Sequence, residues 1–307
     1  MSYLPILGVT SSLGGPYPTS VNAAKLIHDV LFSHESCLST LPLCWKYLAP
    51  KTSGSIDSRL TELNLNISYH TKRWTHLNQK FLIVGGDHSC ALGVWAGVLS
   101  ALAPDQKLGL IWLDAHMDAH TFASSPSGHV HGMPIAALLG QADSRLAKIY
   151  PGQQFLAPDN LVLIGVRSYE AQEAALLRRL QVPIHYCPLA NDFIDTLMKT
   201  ITILDKHCDK IALSLDLDVI DPHEAPGVAT PVPTGIKAQE LLDGLALIYQ
   251  HPKFCGIEIS EYYPPADRND KTLLLIDKII QCVFSDNKPY KFLGSTNSGI
   301  NAISVPK

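Results

Sequence analysis

The chain has 307 residues, of which 46% are hydrophobic and 17% charged, with a net charge of −4 and no basic run beyond a few residues. That length serves one large α/β domain or two smaller ones, and the apolar content is that of a soluble globular protein. The charge removes any electrostatic case for nucleic acid or an anionic membrane as partner, and neither is expected.

In chain order, the apolar run 4–9 predicts a strand leading into Gly8-Val9-Thr10-Ser11-Ser12-Leu13-Gly14, followed by a helix over 20–32. The run 81–84 predicts a strand ending in Gly85-Gly86-Asp87-His88-Ser89, then a helix over 89–102. That helix lies in the longest apolar stretch, 90–103, which is too short to span a bilayer and reads as buried. Strand 108–113 ends in Asp114-Ala115-His116-Met117-Asp118. Strand 161–166 gives way to Arg167-Ser168-Tyr169-Glu170-Ala171-Gln172-Glu173 within a helix over 169–180, and strand 182–186 and helix 193–207 come next. Strand 211–215 ends in Asp216-Leu217-Asp218-Val219-Ile220-Asp221-Pro222. After a helix over 237–249, strand 254–259 runs into Ser260-Glu261-Tyr262-Tyr263-Pro264, and the last helix spans 269–284. The tail, 286–307, has little periodicity and reads as an extended arm or as disordered.

Strands apolar on both faces, alternating with helices, imply a parallel sheet covered on both sides: a three-layer α/β/α fold. No Pro/Gly/Ser-rich linker, charge run or repeat divides the chain, so one domain over 1–307 is expected. Cysteines at 37, 44, 90, 187, 208, 255 and 282 are odd in number and widely spaced, with no Cys-x-x-Cys. They read as buried thiols in a reducing compartment. No Lys or Arg precedes Lys25, which argues against a secretory signal, and a cytoplasmic protein is expected.

The chemistry concentrates in the segments after strands 81–84, 108–113 and 211–215. They bring at least four carboxylates and two imidazoles to three strand ends, where open parallel sheets bind ligands. In two of them the potential ligands sit two residues apart and so share a side of an extended backbone. An isolated Asp-x-Asp would more simply cap a strand end; three such segments after buried strands favour a metal centre. Oxygen-rich sites with some imidazole suit Mn²⁺ or a related ion better than a structural Zn²⁺. Four acids exceed what one divalent ion needs, so a two-metal centre that activates water for hydrolysis is the economical reading.

Gly-Gly-Asp-His-Ser, Asp-Ala-His-x-Asp and Ser-x-Asp-x-Asp-x-x-Asp-Pro, with Ala225-Pro226-Gly227 and Thr230-Pro231 close behind, resemble the ureohydrolases: arginase, agmatinase and relatives. The likeness runs in family order from about residue 85 to 265; the segment Gly8–Gly14 is a weaker match. It implies two Mn²⁺ per chain. His88, Asp114, Asp118 and Asp216 would hold one and His116, Asp114, Asp216 and Asp218 the other, with Asp114 and Asp216 bridging. A hydroxide between the ions would attack the guanidinium carbon of a small guanidino substrate, with Asp118 orienting it. In Ser127-Gly128-His129-Val130-His131-Gly132-Met133-Pro134, His131 matches the family's proton shuttle, and Glu261 matches its guanidinium-binding glutamate. The resemblance further implies a homo-oligomer, trimer or hexamer.

Within that family, substrate choice turns on the head group. Ser127 matches a carboxylate-contacting serine, His120 and His129 stand where arginases commonly have asparagines, and Ser125 where threonine is common. Glu170 and Glu173 fall where arginases place acids around the α-ammonium, while Ser168 replaces a further acid. The set favours arginine over agmatine, other guanidino acids or formimidoylglutamate. A non-catalytic metal-binding homologue and a single-metal deacylase are the more distant rivals. Met117 and Phe122 read as packing residues, and Arg167 as an ion-pair anchor at the sheet end.

Overall fold

The computed structural model describes residues 3–18, 22–32, 43–189 and 192–284. Within them run β1 (Leu4–Val9), α1 (Ala23–Leu31), β2 (Leu43–Leu48), α2 (Ile56–His76), β3 (Phe81–Val84) and α3 (Ala91–Ala101). These are followed by β4 (Leu108–Leu113), α4 (Pro134–Leu138), α5 (Leu146–Ile149), β5 (Leu161–Val166), α6 (Ala171–Arg179) and β6 (Ile184–Tyr186). The last are α7 (Phe193–Asp205), β7 (Lys210–Asp216), α8 (Ala238–Tyr249), β8 (Phe254–Ser260) and α9 (Lys271–Phe284). The expected tail and the residues around Cys37 fall outside the described residues.

The strands form one eight-stranded sheet in the order β2-β1-β3-β8-β7-β4-β5-β6, with every pair parallel. Strands β3, β4, β5 and β8 are buried along their whole length, as the unbroken apolar runs of the first three require, while β8 buries Glu258 and Ser260 as well. One face packs Phe81, Trp95, Trp112 and the strand residues beside them against α2 to α6. The other packs α1, α7, α8 and α9 through Ile27, Phe193, Leu241 and Ile276. This is the three-layer α/β fold, and each such side chain contributes about 1.5–3 kcal/mol by leaving water. No helix among the described residues is long and apolar enough to cross a membrane.

Several elements depart from the sequence reading, the short helices α4 and α5 among them, since none was expected between 113 and 161. Strand β2 and helix α2 occupy a region in which no element was expected. The edge strand β2 leaves Cys44, Lys46 and Tyr47 exposed. Helix α2 buries only a stripe, Leu60, Leu63, Asn64, Ile67, Thr71, Trp74 and Thr75. At the other edge, β6 begins at Ile184 rather than 182, because Gln181 turns with φ 58° and Val182 N–H closes back on Leu177 O at 3.0 Å. Cysteines 90, 208 and 255 are buried free thiols as expected, but Cys44 is exposed.

The sheet positions the chemistry. Strands β3, β8, β7 and β4 are adjacent, and each ends in one of the acid- or histidine-bearing segments. Register matters at that edge: Leu215 pairs with Leu113, which sets Asp216 beside Asp114, and Asp216 itself pairs with Ser260. The β1 loop closes over the same edge at Gly86. Asp87 N–H donates to Ser11 O at 3.1 Å and Glu261 N–H to Gly86 O at 2.7 Å.

A Cβ on Gly86 would lie 1.5 Å from Ser11 O, whereas one on Gly132 meets nothing within 4 Å. Gly86→Ala should therefore lower stability by on the order of 3 kcal/mol as the β1 loop is forced away. Gly132→Ala should stay within about 0.5 kcal/mol. Urea-unfolding midpoints decide it, and matching midpoints for the two variants would show that the loop contact is not tight.

Candidate metal centre and substrate cavity

Strand β3 delivers His88, whose ring is wholly buried and stacks on Trp112 with centroids 4.3 Å apart. Its Nε2 lies 3.0 Å from Ser214 Oγ. Ser214 gives its single hydroxyl hydrogen to Glu258 Oε2 and accepts from Trp95 Nε1–H at 3.3 Å. The serine oxygen is thus an acceptor toward His88, so Nε2 carries the ring hydrogen and Nδ1 is left facing the centre. There it finds Asp118 Oδ2 at 3.1 Å, Asp216 Oδ2 at 3.2 Å and Asp114 Oδ2 at 3.4 Å, with hydrogen-bond geometry to none. A nitrogen among three acid oxygens requires a cation, either a proton or a metal ion. Burial opposes a charged ring, yet Glu258 and the three aspartates hold the His88 pKa well above the usual value.

The β4 segment supplies the rest. Asp114 Oδ2 accepts from Trp112 Nε1–H at 2.8 Å, and its Oδ1 accepts from His116 N–H at 2.7 Å. Asp118 reaches back to the centre through a left-handed backbone, φ 46°. His116 Nδ1 lies 2.9 Å from Asp218 Oδ2, which also takes the Thr230 hydroxyl at 3.2 Å. Burial and the Asp114 charge push the Asp118 carboxyl up to about 7. Burial with Asp218 and Asp114 likewise holds Asp216 well above the usual carboxylate range. Such crowding is stable only when positive charge joins it.

All six expected ligands therefore converge. His88, Asp114 and Asp118 bring ligand atoms within 4.8 Å of one another, as do Asp114, His116 and Asp218, and the two sets share Asp114. Carboxylates with two imidazoles, and no thiolate, suit hard-to-borderline divalent ions. The sequence reading missed the support around them. Ser214 was visible in Ser-x-Asp-x-Asp as the alternate residue on the Asp216 side of β7, and Glu258 as an acid inside an apolar strand. Arg167 is no ion-pair anchor. Its guanidinium donates to the carbonyls of Gly165, Asp218, Val219, Val232 and Pro233 at 2.6–3.2 Å and so ties down the loop after β7.

Beside the centre opens a cavity of about 170 Å³ bordered by His116, Asp118 and Asp216 at its inner end and by the residues expected to meet substrate. One wall is the Ser125–His129 loop. Ser125 Oγ accepts from Gly128 N–H at 2.9 Å and Ser127 Oγ from His129 N–H at 3.2 Å, and the two hydroxyls lie 3.4 Å apart, so one donates to the other and at least one hydroxyl hydrogen is left for an anion. The other wall carries Glu170 and Glu173. Glu173 accepts from Glu170 N–H at 2.9 Å and Ala119 N–H at 3.3 Å, and burial pushes its carboxyl up to about 8. His120 lies against this acid wall, 3.0 Å from Glu170. Met117 is core and Phe122 packs under Arg145, as packing residues should.

His131 borders the same cavity, with Nδ1 3.1 Å from Glu261 Oε1. Glu261, at φ 66°, also accepts from His88 N–H at 2.7 Å on that oxygen. Burial depresses the His131 pKa, but Glu261, Asp118 and Asp87 together lift it to about 9. Glu261 itself lines a neighbouring cavity of about 150 Å³ beside the β1 loop rather than the first one, to which it is joined by its contact with His131. The weakly matching N-terminal motif holds this pair: Gly14 O accepts from His131 N–H at 3.0 Å, and Gly14 N–H donates to Asp87 Oδ2 at 3.0 Å.

The family model described as "Arginase family" matches residues 40–285. The arginase of Brevibacillus brevis is 38% identical over 207 residues, covering 67% of this chain and 68% of that protein. The arginase of Bacillus caldovelox is 36% identical over 238 residues, 75% of this chain and 79% of that one. The solved arginase of Entamoeba histolytica in complex with L-ornithine superposes with a TM-score of 0.83 at 26% identity, covering 92% of this chain and 99% of the other.

A centre that needs cations should melt earlier without them. Protein dialysed against a chelator should lose roughly 5 °C in Tm relative to protein saturated with a divalent ion, the shift expected for a ligand at about a hundred times its Kd. Calorimetric scans check this; coincident scans would mean that the acid cluster holds no ion.

Proposed function

The chain belongs to the arginase family, and on that premise we propose that this metal-dependent ureohydrolase is a two-manganese arginase, taking L-arginine and water to L-ornithine and urea. The observation that carries the choice of arginine is the pair of unlike walls in the cavity. Hydroxyls able to donate face one side and acidic side chains the other, which suits an α-carboxylate and an α-ammonium on one carbon. Agmatine would leave the hydroxyl wall unmatched.

The proposed ligands are His88, Asp114, Asp118 and Asp216 for one ion and His116, Asp114, Asp216 and Asp218 for the other. When bound, such a pair supplies an acidified water and a Lewis acid to the substrate. The remaining work falls to the chain. Glu261 Oε1 fixes the His131 ring, and its Oε2 is the acceptor we assign to a guanidinium N–H. Because Nδ1–H is given to Glu261, Nε2 is the His131 atom that exchanges a proton with the leaving amine, and the Glu261 charge beside the ring favours its protonated form. Asp118 presents its carboxylate to the cavity, where it can accept a hydrogen bond from the reacting water. A single domain over 1–307 and a trimer or hexamer complete the proposal from the family resemblance; a cytoplasmic location is supported by the free thiols.

Urea release tests the substrate. L-Arginine should exceed agmatine by on the order of 10²-fold in kcat/KM, since donors on the hydroxyl wall would lose their partner. Equal efficiency would move the assignment to agmatine. Guanidinobutyrate, guanidinopropionate and formimidoylglutamate run in parallel to catch the other members of the class.

Metal counting and turnover test the roles. Asp216→Ala should lose both ions and Asp218→Ala mainly one; an active wild type with a single ion per chain would end the two-metal reading. His131→Asn should keep its metal and lose roughly 10² to 10⁴ in kcat. If metal leaves with activity, His131 is a ligand or a support instead.

A further inference from the structure

His120 stands at the cavity between the two walls, and its hydrogen bonds show which of them it serves. It is 6% exposed. Its Nε2 lies 3.0 Å from Glu170 Oε2 and 3.7 Å from Glu173 Oε1, while Nδ1 lies 3.1 Å from Ser124 Oγ. An ionised carboxylate only accepts, so Nε2 carries the ring hydrogen and gives it to Glu170. Ser124 Oγ accepts from Thr121 N–H at 2.9 Å, and its own hydrogen has two acceptors in reach, Nδ1 at 3.1 Å and Thr121 O at 3.4 Å, of which Nδ1 is the nearer. Both ring nitrogens are engaged. No N–H is left for an anion on the hydroxyl wall.

The acid wall is correspondingly divided. Both oxygens of Glu173 take backbone amides, from Glu170 and Ala119. Glu170 is the more exposed acid, its side chain 55% exposed, and besides its capping contact with the Glu173 amide at the start of α6 its hydrogen bond to His120 is the contact that restricts its rotamers. We propose that His120 is a positioning residue that sets specificity: it holds the Glu170 carboxylate over the cavity to receive the substrate's α-ammonium and takes no part in gripping the α-carboxylate. The inference rests on the arginine reading and divides the head-group contacts differently from one in which His120 and His129 both face the carboxylate. It also accounts for two side chains at once, since the long reach of Glu170 is matched by an imidazole placed to meet it.

Three ligands that share a chain separate the two axes. L-Ornithine carries both groups, putrescine lacks the carboxylate, and 5-aminopentanoate lacks the α-ammonium. Titration calorimetry on manganese-loaded, full-length wild type, His120→Phe and His120→Gln reads each affinity. For His120→Phe, L-ornithine and putrescine should weaken by about tenfold while 5-aminopentanoate stays within about twofold, the loss of one charge-assisted contact. His120→Gln, which keeps an N–H for Glu170, should recover most of that loss. If 5-aminopentanoate weakens with L-ornithine and putrescine does not, His120 grips the carboxylate and the proposal is overturned. Equal weakening of all three ligands, or of none, overturns it as well. Urea release from L-arginine by the wild type reports separately on the arginase reading: absent turnover with the expected binding pattern would sink that reading and leave the role of His120 standing.

Discussion

Negative charge buried at one edge of a parallel sheet is the constraint on which the rest of this molecule depends. Asp114, Asp216 and Asp218 lie at most 3% exposed on neighbouring strands, and Asp118 closes on them from a left-handed turn. Isolated buried carboxylates are too costly to keep charged, so the arrangement makes sense only around cations. Everything near it is built to hold oxygens and nitrogens toward one point. Trp112 and backbone amides take the outer lone pairs of Asp114, and Ser214 with Glu258 selects the His88 tautomer that turns Nδ1 inward. Arg167 adds no charge to the centre. Its donors go to carbonyls, which keeps the Asp218 loop in register and leaves the aspartate side chains without an arginine partner.

From that centre outward the demands on the chain relax. His131 and Glu261 are still tightly held, one through Gly14 and the other through His88 N–H. Farther out, Ser125, Ser127, Glu170 and His120 hang on loops after β4 and β5. Their geometry rests on local hydrogen bonds between neighbours in sequence or across one loop. A rigid inner site with an adaptable rim is how one fold supports one reaction type on several substrates.

The same gradient explains what was legible in the sequence. Metal ligands at strand ends declare themselves because their spacing is set by the strand period, and all six meet in space. The core strands were read closely, since a strand buried on both faces leaves no other composition possible. Strand β2 and helix α2 were missed for opposite reasons. The edge strand is half solvated and carries Lys46, while α2 shows its apolar residues only as the spaced set Leu60, Leu63, Ile67 and Trp74 in an otherwise polar segment. Arg167 was misread because an arginine after a strand suggests a carboxylate partner; five carbonyls converging from two loops leave no mark in a linear chain. Ser214 and Glu258 were visible only as polar residues inside β-runs, where a buried polar group always implies a partner.

His120 and Glu170 mark the limit of position-by-position transfer. A histidine in an asparagine's place preserves a donor, and by donor type alone it belongs with Ser127 on the carboxylate side. Donor type, however, says nothing about direction. The ring reaches across to Glu170, and the two close on each other at 3.0 Å. The substitution at 120 is thus coupled to an acid fifty residues on, and only their joint geometry shows which wall the imidazole lies against. A pocket that shifts its grip from the carboxylate toward the ammonium in this way can retain arginine and still differ from its relatives in which head-group analogues it tolerates.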